Sequence, residues 1–575
     1  MGRSALMLHM LIGSSVRAFA WIALMACTSV TAQNTVGTTL FDAGASSGYV
    51  LFSPNTSTQT YLIDRCGRII NAWESDGRPG LSAYLLDNGS LLRTRKFLTG
   101  NFIGGGIGGM LEQFNWNGEL MWSDTLAEES IHQHHDIAPM PNGHILAVLW
   151  EKYTSEEAIA RGRDPLLTPD EVWVTRIIEL SPLASGGSEV VWSWSPWDHL
   201  VQNFNADLPN FGEPADYPHR FDVNYAAVAE VVGPGLGQNA AFDWLHVNSI
   251  DYHAERDEIV LSSRNWNEVW VIDHGTTTAQ AASDSGGVSN LGGQILWRWG
   301  NPQTHGAGTE EDQQFFGQHD AQFITMEDGP GVSVFNNGAS RPDGPYSTVH
   351  QIALTLDAAG MHVAPSNGGF APSEPNWTYP DEPDLTFFSN NISGYQRMTN
   401  GHHLVCQGAN GRFFELNESL EMVWEYINPM TSNGSLSQGS NPNQNSVFRA
   451  GHITLDHPGI QGQNTVPGDP IELNADLSNC LENSINEQTS TSFTPHVWPV
   501  PSRDYLHIEW PSAMAMDCEV RFFNSQGIEC KRVLFEPVMV VDIQIWPPGP
   551  YIGILHRCRE GIIDEAPATF KFIIP

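Results

Sequence analysis

The sequence predicts an all-β protein: a six-bladed β-propeller followed by a small C-terminal β-sandwich. Three observations carry this expectation. A phrase of short apolar strands and hairpin turns recurs six times between residues 48 and 426, and five of the six close in Trp. The chain holds 54 Gly, 36 Pro and 19 Trp, which supply tight turns and large aromatic wedges. The Ala, Glu, Lys and Leu bias of helical chains is absent.

The six units follow in order. GYVLFSP leads to Trp73, and SAYLLDNGSLLRTR leads to Trp122. HDIAPMPNGHILAVLW leads to EVVWSW, and HVNSIDYH leads to QILWRWG at Gly300. HDAQFITMEDGPGVSVFNN leads to VHQIAL, and SGYQRMTNGHHLVCQG leads to RFFELNESLEMVWEY. Each unit holds about four strands joined by turns such as Asn88-Gly89, Asn142-Gly143 and Asn400-Gly401. No unit can bury both faces of its sheet alone, and radial stacking removes that problem. A β-helix would need a much shorter repeat. Residues 198–241 and 364–392 are rich in Pro, Asn, Asp and Gly, and are expected as long loops on one rim.

The expected boundaries are a signal peptide at 1–32, a propeller at 33–458, a linker at 459–492 and a sandwich at 493–575. Arg3 and Arg17 precede a short apolar run, AFAWIALMAC, at residues 18–27, too short to span a bilayer. Ala32 precedes an expected cleavage before Gln33, and lipidation at Cys27 is the weaker option. Residues 459–492 are polar and poor in aromatics, whereas 493–575 alternates apolar residues with turn breakers.

The net charge of −38 repels phosphate backbones and anionic headgroups, so nucleic acid is excluded as a partner. No C-x-x-C spacing points to a zinc ribbon. Cys66 and Cys406 lie near opposite ends of the repeats and are the expected disulfide. The sequence leaves homo-oligomer assembly open.

Aligning the units by their first strands brings three histidines to matching positions: His135, His246 and His319. Leu81 and Ser393 hold the corresponding places elsewhere. Inner strands line a propeller's axis, so these side chains are expected to face one volume. Of His132, His134 and His135, only one or two can point inward, because strand side chains alternate. Arg264, in LSSRN, stands eighteen residues after His246 on the next strand. Its planar fork suits an oxyanion, although a structural salt bridge is the plain alternative. Together these residues suit transfer of a tetrahedral oxyanion: one neutral imidazole attacks, another protonates the leaving group, and Arg264 balances charge. Two other readings stand beside this one: a non-catalytic ligand-binding propeller, and a metal-assisted sulfate or phosphate ester hydrolase. Arg264 opposes a cation, so no metal and no cofactor are expected. GGGIGG at 104–109 lacks the Lys-Ser/Thr of a phosphate loop and is expected as a loop between strands.

DWLHVNSIDYH followed by SSRN, with HHDIAPMPNG upstream and QHDAQF downstream, resembles the bacterial aryl-sulfate sulfotransferases over about residues 45–430. The resemblance implies a six-bladed propeller that moves a sulfuryl group from an aryl sulfate to a phenol without a nucleotide donor. It implies His319 as nucleophile, His246 and Arg264 as ligands of the sulfuryl oxygens, and His135 as a third histidine. His134 and Asn248 are further substrate-binding candidates. VWPVPSRDYLHIEW, NSQG, WPPGPYIGIL and FKFIIP resemble a type IX secretion sorting domain. That resemblance implies the type IX machinery as a partner and a secreted or outer-membrane surface location.

Overall fold

A computed structural model of the chain describes residues 34–225, 242–366, 369–477 and 480, and the strands between 496 and 574. The expected signal peptide and the loop segment 226–241 lie outside the described residues.

The fold is all-β and its main body is a six-bladed propeller. Blades 2 to 5 are four-stranded antiparallel meanders built from consecutive chain. Their innermost strands are Pro79–Leu85, Ile131–Pro139, Val247–His253 and His319–Met326. Blades 1 and 6 close the ring. The innermost strand of blade 1 is Val447–Ile453, which pairs with Tyr49–Pro54. Blade 6 begins at Gly394–Arg397 and gains a fifth, outermost strand from Gly37–Phe41, paired with Met422–Ile427. Both ends of the repeat region are therefore stitched into sheets formed by the opposite end.

One apolar cluster fills each of the six seams between blades. The closing Trp of the repeat is what wedges them. Trp73, Trp122, Trp194, Trp297 and Trp424 each donate their indole N–H to a backbone carbonyl of the next blade: Asn115, Gly187, Gly293, Ala371 and Arg65, at 2.7–2.9 Å. Each ring thus buries its apolar body while its one polar atom is satisfied.

The disulfide corrects the expected pairing. Cys66 bonds Cys480, across 414 residues of sequence, and Cys406 is a buried free thiol in the seam between blades 6 and 1. Cys406 sits mid-strand on an apolar face, where its side chain packs against the core. Cys66 lies in the turn after Gln59–Asp64, within reach of the returning chain. That returning chain also stays against blade 1, because Ile69 N–H donates to Asp469 O at 3.1 Å and Arg68 bridges Pro470.

The two insertions differ in placement. The described residues between the last strand of blade 3 and the first of blade 4, 195–225 and 242–246, lie on the rim where the inner strands start. Residues 354–376 leave blade 5 from the other end of its third strand, so the expectation of one shared rim holds only for part of 364–392. Beyond the propeller, His496–Pro499, Tyr505–Glu509 and Val538–Asp542 form one antiparallel set. Cys518–Asn524, Glu529–Leu534, Gly549–Arg559 and Ala568–Ile574 form another. Among the described residues no helix is long and apolar enough to cross a membrane.

Candidate active site

The inner strands do not start as regular strands. Ladder registers slip at the first residues of the inner strands in blades 2, 4 and 5, as between His319 and Gln322, and within the inner strand of blade 3, between Gln133 and Ile137. Leu81, His135, His246, Asp320, Ile392 and Ser393 all have positive φ there. Non-glycine residues rarely adopt that region, and Ile392, β-branched at φ 49°, is a marked outlier. Bulges of this kind re-aim side chains, here toward the axis.

The re-aiming overrides strand alternation. His134 and His135 are consecutive, yet their Nδ1 atoms lie 2.8 Å apart. Positive φ at His135 brings its ring to the side that His134 already occupies. His134 stacks on Trp150 at 4.1 Å between centroids, and His135 meets His246 edge to face at 4.6 Å. His132 is buried beneath the Gly-rich loop, with Nε2 facing Gly108 O at 3.4 Å. Two of the three histidines therefore reach the site, as neighbours rather than alternates.

His246 is held by Asp243. One carboxylate oxygen accepts the His246 backbone N–H at 3.0 Å, and the other faces Nδ1 at 2.6 Å. Burial alone would raise the Asp243 carboxyl, but the His246 charge and hydrogen bonds hold it below the usual range. His246 Nδ1–H is thereby fixed as a donor to Asp243, which leaves Nε2 uncommitted.

His319 is held on two sides. Its Nδ1 lies 2.7 Å from Asn337 Oδ1 and 3.1 Å from Gly317 O. A carbonyl can only accept, so Nδ1 carries the proton. Asn337 spends both amide hydrogens on Ser389 O and Ile392 O, each at 2.8 Å, which orients its own oxygen toward the ring. The lone pair of His319 therefore falls on Nε2, where it accepts the Ile392 N–H at 3.3 Å. Burial first, and then the Arg264 charge, push the His319 imidazole down to about 3, so it stays neutral. Burial also lowers His134, to about 3. His135 falls well below its ordinary value through burial and the neighbouring His246 and His134.

Arg264 starts the turn after Glu258–Ser263, its backbone N–H bonded to His246 O at 3.1 Å. Its guanidinium makes no ion pair among the described residues, and its one side-chain contact is a 3.5 Å approach to Asn265 Oδ1. The structural salt bridge considered from sequence is not formed. A Cβ on Gly317 would sit 3.8 Å from Arg264 Nε, which places the fork beside the turn that carries His319. An uncommitted, mostly buried guanidinium faces neutral imidazoles, a combination that favours an incoming anion.

His134, His135, His246, Arg264 and His319 thus converge. Asn248 commits its Nδ2 to Gln318 O at 2.7 Å, joining blades 4 and 5 next to His319, and its Oδ1 is buried without a partner. Sequence reasoning passed over three residues. Asp243 lies inside the quoted DWLH, three residues before its histidine. Asn337 ends the quoted SVFNN string, on the strand after His319. Gly106 lies in GGGIGG, and its role needs the third dimension. Its carbonyl accepts the His135 N–H at 2.7 Å, and a Cβ there would fall 2.0 Å from the His135 ring at φ 82°. Phe102 and Ile107 of the same loop pack on Trp150 and Trp173, so the loop roofs the histidine pair. Among the described residues no group of three or more His, Cys, Asp or Glu is arranged to hold a metal ion.

A family model described as arylsulfotransferase (ASST) matches residues 31–449, more than half of the chain. The chain belongs to the arylsulfotransferase family. Membership assigns aryl sulfotransfer as its general activity, with aryl sulfates and phenols as consistent substrates. No protein with a curated description matches this arylsulfotransferase sequence. Among solved structures, a Bacteroides caccae protein of unknown function is 9% identical over 71% of this chain and 99% of its own, with a TM-score of 0.37. The periplasmic gluconolactonase of Pseudomonas aeruginosa is 13% identical over 71% and 99%, with a TM-score of 0.34. A streptogramin B lyase is 12% identical over 69% and 85%, with a TM-score of 0.31. Likenesses this distant carry no argument about the arylsulfotransferase site.

Proposed function

We propose that the protein transfers a sulfuryl group from an aryl sulfate to a phenol through a covalent sulfohistidine at His319, with no nucleotide donor. The observation that carries this reading is the fixed tautomer of His319, whose lone pair falls on Nε2, where it accepts the Ile392 N–H at 3.3 Å, beside the uncommitted Arg264.

In the first half-reaction the Nε2 pair attacks sulfur. The S–O(aryl) bond breaks with its electrons going to the phenolate oxygen, and protonated His246 gives that oxygen its proton. Asp243 stabilises the imidazolium before transfer. Arg264 meets the non-bridging oxygens as charge shifts onto them, and the Ile392 N–H releases Nε2 as it attacks. In the second half-reaction an acceptor phenol attacks sulfur, its proton returns to His246, and the S–N bond breaks with its electrons returning to Nε2. His135 and His134 share one proton between their Nδ1 atoms, so His135 Nε2 can be either a donor or an acceptor.

We also infer that the enzyme works outside the cytoplasm. The Cys66–Cys480 disulfide suits an oxidising compartment. The strands of 493–575 are read as a sandwich serving type IX export.

Intact-mass analysis after mixing with a chromogenic aryl sulfate tests the chemistry. One sulfuryl increment mapped to His319, discharged by added phenol, is expected. Release by water alone would instead favour a hydrolase, and no release a binding propeller.

A further inference from the structure

Beneath the histidines, the propeller axis is crossed by one ionic hub. Arg449, on the innermost strand of blade 1, reaches two carboxylates at once. Its Nη2 lies 2.8 Å from Asp136 Oδ2, and its Nε lies 2.7 Å from Asp320 Oδ1. Its Nη1 donates to Tyr84 Oη at 2.9 Å, and Tyr84 O–H donates onward to Asp136 Oδ1 at 2.8 Å. Asp136 also accepts the Ile250 N–H at 3.3 Å, and Asp320 accepts the Tyr395 N–H at 2.8 Å. Blade 1 gives Arg449, blade 2 Tyr84, blade 3 Asp136, blade 4 Ile250, blade 5 Asp320 and blade 6 Tyr395. One group from every blade therefore meets in a single network.

The hub lies next in sequence to the chemistry. Asp136 follows His135, and Asp320 follows His319. Adjacent Cα atoms are about 3.8 Å apart, so a shift of either carboxylate is passed to its imidazole. The bulges sharpen this coupling, because positive φ falls on His135 in one pair and on Asp320 in the other. Between hub and site lies an apolar plug of Leu81, Ile392 and Phe448. On the hub's side is a cavity of about 200 Å³ that includes Tyr84, Gln322, Gln396 and His452 in its lining. Arg449 thus contributes nothing directly to a bound sulfate ester.

We propose that Arg449 is a positioning residue, setting the separation of His135 and His319 through its bridge between Asp136 and Asp320. The kinetic side of this proposal rests on the sulfuryl-transfer reading, while its geometric side does not. A planar fork can serve two carboxylates at fixed spacing, and an ammonium cannot. An error near 1 Å in the placement of reacting groups costs about 100-fold in rate.

The test uses the full chain with Arg449→Lys, Arg449→Met and Asp320→Asn, read by steady-state kinetics on an aryl sulfate and by crystal structures. Arg449→Met is expected to lower kcat about 100-fold with KM within about threefold, and Arg449→Lys to recover part of that loss. The two rings should move by about 0.5 Å or more relative to each other. Wild-type kcat in folded Arg449→Met, or unmoved rings in folded Arg449→Lys, overturns the proposal. Where neither arginine variant folds, Asp320→Asn decides by the same two readouts, since its oxygen can still accept the Tyr395 N–H. Absence of aryl-sulfate turnover in the unaltered protein would remove the sulfuryl-transfer reading instead, and the ring positions would still judge Arg449.

Discussion

His135 and His319 both lie on the inner strand of a blade, both precede an aspartate, and both aspartates form ion pairs with Arg449. They differ in what holds the ring. His319 Nδ1 faces two carbonyl oxygens, of Asn337 and Gly317, so its proton has one place to be. His135 Nδ1 faces another imidazole, His134, so a proton between them belongs to either. Identical dipeptides on equivalent strands are thus given a fixed lone pair in blade 5 and an exchangeable proton in blade 3. The difference comes from residues outside the repeated phrase. Nucleophilic character is set by the partner of the ring, and the ring alone does not reveal it.

The sharpest way to break the comparison is to remove one ring at a time. His319→Ala is expected to lower turnover of an aryl sulfate on the order of 10⁴-fold or more and to abolish the adduct. His135→Ala should be milder and leave the adduct detectable by intact mass. Replacing Arg264 by Lys keeps the charge and loses the fork. A drop in kcat of about 10²- to 10³-fold is expected, and wild-type kinetics would count against direct oxyanion contact. Asn337→Leu should cost about 10- to 100-fold in the rate of adduct formation, because Nδ1 loses its best acceptor and the tautomer is no longer enforced. Single-turnover kinetics report that step. Gly106→Ala acts on the other member of the pair. Its left-handed backbone and the 2.0 Å clash with the His135 ring should destabilise the fold by about 1–3 kcal/mol and lower activity. A thermal melt and kcat measured together check it.

A pH series sharpens the same contrast. His319 and His134 are held near 3, and His135 well below its ordinary value. Between about pH 3 and the ordinary histidine value the unfolded chain binds more protons than the native one. Stability contributed by these neutral rings is therefore present above that value and is lost as pH falls through the window. Tm should decline from pH 7 to pH 5, and less so in His319→Gln. Because His319 stays neutral throughout, the acid limb of kcat/KM should be unchanged in Asn337 variants that still turn over.

Much of this architecture was legible in the chain. The Asn-Gly turns and closing Trp residues mark the blades, and those same Trp residues make the indole-to-carbonyl contacts between blades. The convergence of His135, His246 and His319 followed from matching strand starts. Legibility failed where one position depends on a distant one. The inner strand of blade 1 is supplied by 447–453, far from the phrase GYVLFSP that it pairs with, and Arg449 was hidden with it. Cys66 seemed matched to Cys406 by position along the repeats, but pairing followed the path of the chain after the last blade. Strand alternation failed at His134 and His135 because the bulge there is imposed by contacts along the axis and by the loop of Gly106, and no local propensity encodes it.

The ring is closed by two overlapping ends and a covalent tie. The histidines of the site are all in hand by residue 319, yet Asn337 and Ile392, which face His319, come later, and the inner edge of blade 1 stays vacant until residue 453 arrives. A chain cut short just after His319 would carry the convergent side chains with nothing to converge them. Each end of the repeat region is held by a sheet from the far side, Gly37–Phe41 by blade 6 and Val447–Ile453 by blade 1, so the circle has no free edge at which to unzip.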